Sequence, residues 1–306
     1  MLPGMTRVAV APSRATHVVE AVELGGGSVV ALTEEPEALV WMAPDDPDGL
    51  QAAVRSAPTL RWVQLPFAGV ERFTDVLDPK LTWACAKGVY ADPVAEHALA
   101  LALAGLRSLP ERARARSWGE QAASTLYDAE VVVLGAGGIT SSLLGLLAPF
   151  RCTTTVVRRS GEPVEGATRT VTTDRLDEVL GDALVVVLAL ALTEQTRHVI
   201  GADQLRAMRE DAWLVNVARG AHVDTDALVT ALREGHLGGA ALDVTDPEPL
   251  PDGHPLWELP NCLVTPHTAN PWQTAQPLLA RRITDNVRRF AAGEPLLGLV
   301  DVDTGY

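Results

Sequence analysis

Three polar residues in the C-terminal half of the chain stand where apolar runs stop. The run 213–217 ends at Ala218-Arg219-Gly220, the run 239–244 is followed by TDPEPLPDGHPL carrying Glu248, and the run 262–265 ends at Pro266-His267. An arginine, a glutamate and a histidine at three strand ends make a set that can handle a 2-oxo acid. Arg219 offers a planar fork to a carboxylate and positive charge beside a carbonyl oxygen. His267 can deliver a proton near neutral pH, and Glu248 can hold the imidazolium in place and raise its pKa. Taken singly, each has a plainer reading. Arg219 is then a surface or helix-capping charge, Glu248 a solvated loop carboxylate and His267 a structural histidine. Metal binding is the weaker alternative, because His222, His236, His254 and His267 lack compact ligand spacing, and no metal is expected.

Such a set needs a scaffold, and the stretch EVVVLGAGGIT at 130–140 supplies its centre. It reads as a buried parallel strand running into a glycine-rich turn, with a helical pattern over 141–149. Strand, Gly-x-Gly and helix in that order are the context of a dinucleotide-binding turn. Gly135 makes the tight turn, and Gly137 lets backbone amides approach a pyrophosphate at the helix N-terminus. Thr140 stands where the third glycine of the fingerprint belongs. Alone, the turn also admits a plainer reading, an ordinary strand-to-helix connection.

The rest of the pattern alternates strand and helix. Strands are expected at 7–11, 28–32 and 38–42, with a helix over 16–24. A further strand, 60–70, closes on a glycine turn, and another covers 81–84. Asp92 is expected to cap a long apolar helix with Pro93 at its first position, buried between two domains. The basic stretch 107–121 reads as a solvated face, with a surface arm reaching a second subunit as the alternative. Strands at 153–157, 168–172, 183–190, 213–217, 239–244 and 262–265 alternate with helices at 174–180, 201–208 and 225–234. This predicts an α/β protein with a doubly wound parallel sheet and its ligand outside the carboxyl ends of the strands. An amphipathic helix over 275–292 is expected to return to the first domain.

The bulk numbers narrow the class. Its 306 residues suggest two domains. Hydrophobic residues make up 47% but aromatic ones only 5%, so the core is built from Ala, Val and Leu, as a buried parallel sheet requires. A formal charge of −14 argues against nucleic acid as a partner. The apolar run 98–106 is too short to span a bilayer, so no membrane partner is expected. No secretory h-region precedes the first strand, and three cysteines, Cys85, Cys152 and Cys262, suggest no disulfide framework. A reducing cytoplasm fits.

The motifs VAEHALAL (94–101), GAGGI (135–139), LVNVARGAHVDTDAL (214–228), GAALDVTDPEPLPDGHPLW (239–257) and PHTA (266–269) resemble those of the D-isomer-specific 2-hydroxyacid dehydrogenases. The resemblance implies a Rossmann cofactor domain over 99–275. It also implies a smaller, discontinuous, flavodoxin-like substrate domain over 1–98 and 276–306. In the family's terms Arg219 binds and polarises the substrate, while Glu248 and His267 form the acid–base pair. Gly135, Gly137, Gly138, Ile139, Leu190, Val217 and Ala218 are implied to line the cofactor, with Asp243 at its nicotinamide end. Backbone amides of Ala68, Gly69 and Val70 are implied to meet the substrate carboxylate. VWMAPDDP (40–47), RGAHV (219–223) and GLVDVDTGY (298–306) are similar to the A-type glyoxylate/hydroxypyruvate reductases. Trp41, Phe67 and Tyr90 are expected to choose among small 2-oxo acids. The family also implies a homodimer. Ala191 departs from the family's proline, as Thr140 does from its glycine. Both departures leave open a second reading, a catalytically weak dinucleotide-sensing protein on the same fold.

The cofactor is read from the second strand of the nucleotide fold. An NAD enzyme places an acidic residue there for the ribose hydroxyls, whereas this strand ends in Arg158-Arg159-Ser160. Two cations and a hydroxyl suit a 2′-phosphate, so NADP(H) is favoured with NAD(H) as the alternative.

Overall fold

A computed structural model describes residues 5–119 and 121–302 and divides the chain into two compact units, 1–90 with 271–306, and 91–270. The first unit opens with β1 (Thr6–Ala11), α1 (Thr16–Leu24), β2 (Gly27–Val30) and β3 (Ala38–Trp41), then α2 (Pro47–Ser56), β4 (Trp62–Gln64) and β5 (Thr82–Ala84). All its strand pairs are parallel, in the order β2-β1-β3-β4-β5. This is the flavodoxin-like order. The chain's last helix, Trp272–Ala292, belongs to this unit and packs on α1, β1 and β2. Its fully buried Asn286 donates to Gln64 Oε1 at 2.8 Å and accepts from the Leu297 amide at 2.8 Å, tying the tail down.

The second unit begins with α3 (Ala91–Leu106) and α4 (Leu109–Arg114), followed by β6 (Glu130–Leu134) and α5 (Gly138–Leu147). Next come β7 (Thr153–Val157), β8 (Arg169–Val171), α6 (Leu176–Leu180), β9 (Val185–Leu188) and α7 (Ala202–Ala207). The unit closes with β10 (Trp213–Asn216), α8 (Thr225–Glu234), β11 (Gly239–Leu242) and β12 (Cys262–Val264). The seven strands are all parallel, in the order β12-β11-β10-β9-β6-β7-β8. Order reverses between β9 and β6, the switch point where a doubly wound sheet takes its ligand. Aliphatic runs such as Val185–Leu188 are buried on both faces, as parallel strands must be.

Some element bounds differ from expectation for identifiable reasons. The strand expected over 60–70 is only Trp62–Gln64, because Pro66 and the glycine turn end the ladder. Helix α2 was missed. Asp46 caps it by accepting from the Gly49 amide at 2.8 Å, but only Leu50 and Ala53 are buried, too few for a clear period. Asp92 lies inside the first turn of α3 rather than capping it. The second unit starts with α3 at residue 91, not at 99, because the helix packs as a whole on α5, β10 and β11. There Gly105 admits the Trp213 ring, which a Cβ would meet at 2.2 Å. Among the described residues no helix is long and apolar enough to cross a membrane. Part of the GLVDVDTGY resemblance, residues 303–306, lies outside the described residues.

Candidate active site

The glycine turn is built as a phosphate-binding turn requires. Gly135 has φ +107°, and a Cβ there would sit 2.2 Å from the Ala189 carbonyl oxygen, so only glycine fits. Helix α5 follows with Gly137 as its N-cap and no side-chain cap. Its first-turn amides lack intrahelical partners and carry the positive end of the helix dipole. Gly137 and Gly138 are exposed and Ile139 half-buried, so this edge is open to an anion. Thr140 is fully buried, and its hydroxyl donates to the Gly135 carbonyl at 2.9 Å. The residue that departs from the fingerprint thus fastens the turn instead of loosening it. These features fit a bound dinucleotide.

Leu190 and Ala191 follow β9, and the Ala191 carbonyl accepts from Thr196 Oγ1 at 2.8 Å and from His222 Nε2 at 3.2 Å. Two hydrogen bonds hold the segment where the family's proline would stiffen it. On the other side of the ring, His222 Nδ1 lies 3.2 Å from the Arg219 amide nitrogen and 3.1 Å from the Arg219 carbonyl oxygen, so the imidazole links the Ala191 segment to the Arg219 turn. At the end of β7, Arg158 is half-buried while Arg159 and Ser160 are exposed.

Arg219 is delivered by a turn that its neighbours determine. Buried Asn216 accepts from the Ala218 amide at 3.0 Å and donates to the Arg219 carbonyl at 2.8 Å. The next residue, Gly220, lies so close to the Thr245 backbone that a Cβ would meet it at 1.9 Å. The absence of a side chain there lets the Arg219 turn rest against the loop that carries Glu248. Val217 and Ala218 are buried within the turn. Glu248 lies beyond Asp246, whose carbonyl accepts from Thr225 Oγ1 at 2.8 Å, and Pro247, whose carbonyl accepts from Thr245 Oγ1 at 2.9 Å.

His267 Nδ1 lies 2.7 Å from Glu248 Oε1. Its backbone is left-handed, φ 51°, and its amide donates to the carbonyls of Asp243 at 2.8 Å and Thr265 at 2.9 Å, which hold that conformation. The Glu248 hydrogen bond raises the His267 pKa against burial, which lowers it; the Glu248 charge adds to the rise and Arg219 opposes it. The same bond lowers Glu248, with Arg219 assisting. All three residues therefore share one electrostatic field.

Asp243 is almost wholly buried and ties this loop to the sheet. Its Oδ1 accepts from Thr265 Oγ1 at 2.6 Å and the Thr268 amide at 2.8 Å, and its Oδ2 from the Ala269 amide at 2.9 Å; His97 Nε2 lies 3.3 Å from Oδ1. Burial pushes its pKa up, but bonds from His97, Thr265, Ala269 and Thr268 outweigh that and hold it at about 2. Sequence reasoning placed Asp243 beside the cofactor and overlooked the positioning roles of His97, His222 and Thr265, which reach partners far away along the chain, and of Asn216, which braces the adjacent turn.

In the first unit, Ala68 is exposed and Gly69 half-buried, while the Val70 side chain joins the core. Trp41 and Tyr90 are buried, with Trp41 Nε1 donating to Ala43 O and Tyr90 Oη to Pro66 O, each at 2.7 Å. Only Phe67 of the three expected selectivity residues is exposed.

A switch-point glycine turn and a paired His–Glu beside an Arg define a nicotinamide-dependent oxidoreductase of Rossmann type. The profile of the D-isomer specific 2-hydroxyacid dehydrogenase NAD-binding domain matches residues 97–269. The chain belongs to that family, as an NAD(P)-dependent 2-hydroxyacid dehydrogenase or 2-oxo acid reductase. An uncharacterised protein of Corynebacterium melassecola, from a region 3′ of proB, is 44% identical over 81% of this chain and 84% of its own. Glyoxylate/hydroxypyruvate reductase A of Photorhabdus laumondii is 31% identical over 69% of this chain and 68% of its own. The solved D-isomer specific 2-hydroxyacid dehydrogenase of Xanthobacter autotrophicus, in complex with NADPH and MES, superposes with TM-score 0.86 at 28% identity, covering 99% of this chain and 100% of that one.

Proposed function

We propose that the protein is an NADPH-preferring reductase of glyoxylate, hydroxypyruvate or a similarly small 2-oxo acid. The observation that carries this reading is the 2.7 Å contact of His267 with Glu248, in the field of Arg219. Residues 91–270 hold the cofactor, and residues 1–90 with 271–306 form the substrate domain. Gly137, Gly138 and Ile139 bind the pyrophosphate, Leu190, Val217 and Ala218 border the nicotinamide half, and the Asp243 end of β11 lies toward its ring. When bound, the dinucleotide supplies the hydride that reduces C2 of the oxo acid. Arg219 holds the carboxylate–carbonyl edge through its planar fork, and the amides of Ala68, Gly69 and Val70 bind the carboxylate. His267 gives its proton to the oxygen on C2 as negative charge develops there, and Glu248 keeps the imidazolium protonated and oriented until then.

Arg158, Arg159 and Ser160 support NADP(H), as does likeness to a protein solved with NADPH. Homodimer assembly through the region of the long helix α3 is inferred from the family resemblance. Three free cysteines support a cytoplasmic setting. Steady-state assays with glyoxylate, hydroxypyruvate, pyruvate and bulkier 2-oxo acids, each with NADPH and NADH, test the reading. Turnover is expected to be greatest with a small acid and NADPH. Dinucleotide binding with no turnover on any acid would establish the sensing protein instead.

A further inference from the structure

We propose that Glu162 sets the choice between a 2′-phosphorylated and a free adenosine ribose by acting as an internal anion on Arg158 and Ser160. This rests on the reading that the loop after β7 receives the adenosine ribose. The carboxylate's Oε2 lies 3.3 Å from Arg158 Nη2 and accepts from Ser160 Oγ at 3.2 Å. Arg158 Nη1 also donates to the Glu162 backbone carbonyl, at 3.4 Å. The chain is shaped for this return. Gly161 is left-handed, φ +65°, and a Cβ there would meet Thr172 Cγ2 at 2.8 Å. Pro163 follows, restraining the Glu162 backbone to extended conformations.

One carboxylate thus engages two of the three side chains whose chemistry suits a 2′-phosphate. A phosphomonoester carries between about −1.5 and −2 charges at neutral pH, so it meets repulsion from Glu162 and competes with it for the guanidinium. A free ribose brings no charge, leaves the Arg158–Glu162 pair intact and can donate its hydroxyls to the carboxylate, as acidic residues accept them in NAD enzymes. Glu162 therefore moderates the preference for NADPH that Arg158 creates, and keeps NADH usable.

The test is Glu162→Gln in the full-length protein. It removes the charge but keeps the side chain's shape and the backbone carbonyl on Arg158. The NADPH-to-NADH ratio of kcat/KM should rise about fivefold, the scale of one exposed charge pair, with the change in KM for NADPH. Adenosine 2′,5′-bisphosphate should bind correspondingly tighter by calorimetry and 5′-AMP unchanged. Arg158→Ala, measured in parallel, should lower the ratio. If Arg158→Ala lowers it and Glu162→Gln leaves it unchanged or lowers it, the role of Glu162 is overturned while the phosphate reading stands. If neither variant alters the ratio or the bisphosphate affinity, the phosphate reading itself fails.

Discussion

The Thr140 hydroxyl donates to the Gly135 carbonyl at 2.9 Å from a fully buried position, spanning the turn that begins α5. A third glycine would give close helix–strand packing; the threonine gives a hydrogen bond across the same corner. Thr140→Val keeps the shape but leaves that carbonyl without its donor. The cost of such a loss is about 1–3 kcal/mol. Denaturant melts should show Thr140→Val destabilised by that amount and Thr140→Ser close to the parent. Equal stability of Val and Thr would show that the bond contributes nothing.

Glu248 is the main cause of the raised His267 pKa, while burial and Arg219 oppose it. With His267 as the proposed proton donor, reduction needs the imidazolium, so its rate should be full at low pH and fall as pH rises through the raised value. Glu248→Gln removes the leading cause and leaves both opposing ones. The alkaline limb of the reduction profile should therefore move to lower pH. Oxidation needs neutral imidazole, so its rising limb should move the same way. Limbs that stay in place would detach Glu248 from the titration.

His222 bridges the Ala191 carbonyl and the Arg219 amide from a fully buried site. His222→Phe fills the space without either bond. With NADPH saturating, KM for the oxo acid should rise about tenfold, as one lost buried hydrogen bond implies, because Arg219 is less firmly placed. His222→Gln, which can donate to Ala191, should recover part of it. An unchanged KM in the Phe variant would show that Arg219 is positioned without His222.

Arg219, Glu248 and His267 stood out as candidates because Arg219 and His267 follow aliphatic runs directly and Glu248 sits in the loop after a third, and parallel strands deliver their carboxyl ends to one edge. The seven-stranded sheet was readable for the same reason. Residues that hold the trio were not, since their roles arise only when distant segments meet. Thr265 reaches Asp243 across 22 positions and His222 reaches Ala191 across 31. Thr140 and Ala191 read as defects in one dimension, because the hydrogen bonds that replace the missing packing and stiffness have no sequence pattern. Glu162 was passed over because it stands beyond the strand end at which a ribose-binding acid is sought.

His267 is proposed to supply the proton. Stopped-flow and steady-state reduction of glyoxylate by His267→Ala, with NADPH affinity measured alongside by fluorescence, tests it most directly. The rate should fall by about 10²–10⁴ while the NADPH Kd stays near the parent's. Turnover at the parent rate, with cofactor bound normally, would contradict the assignment.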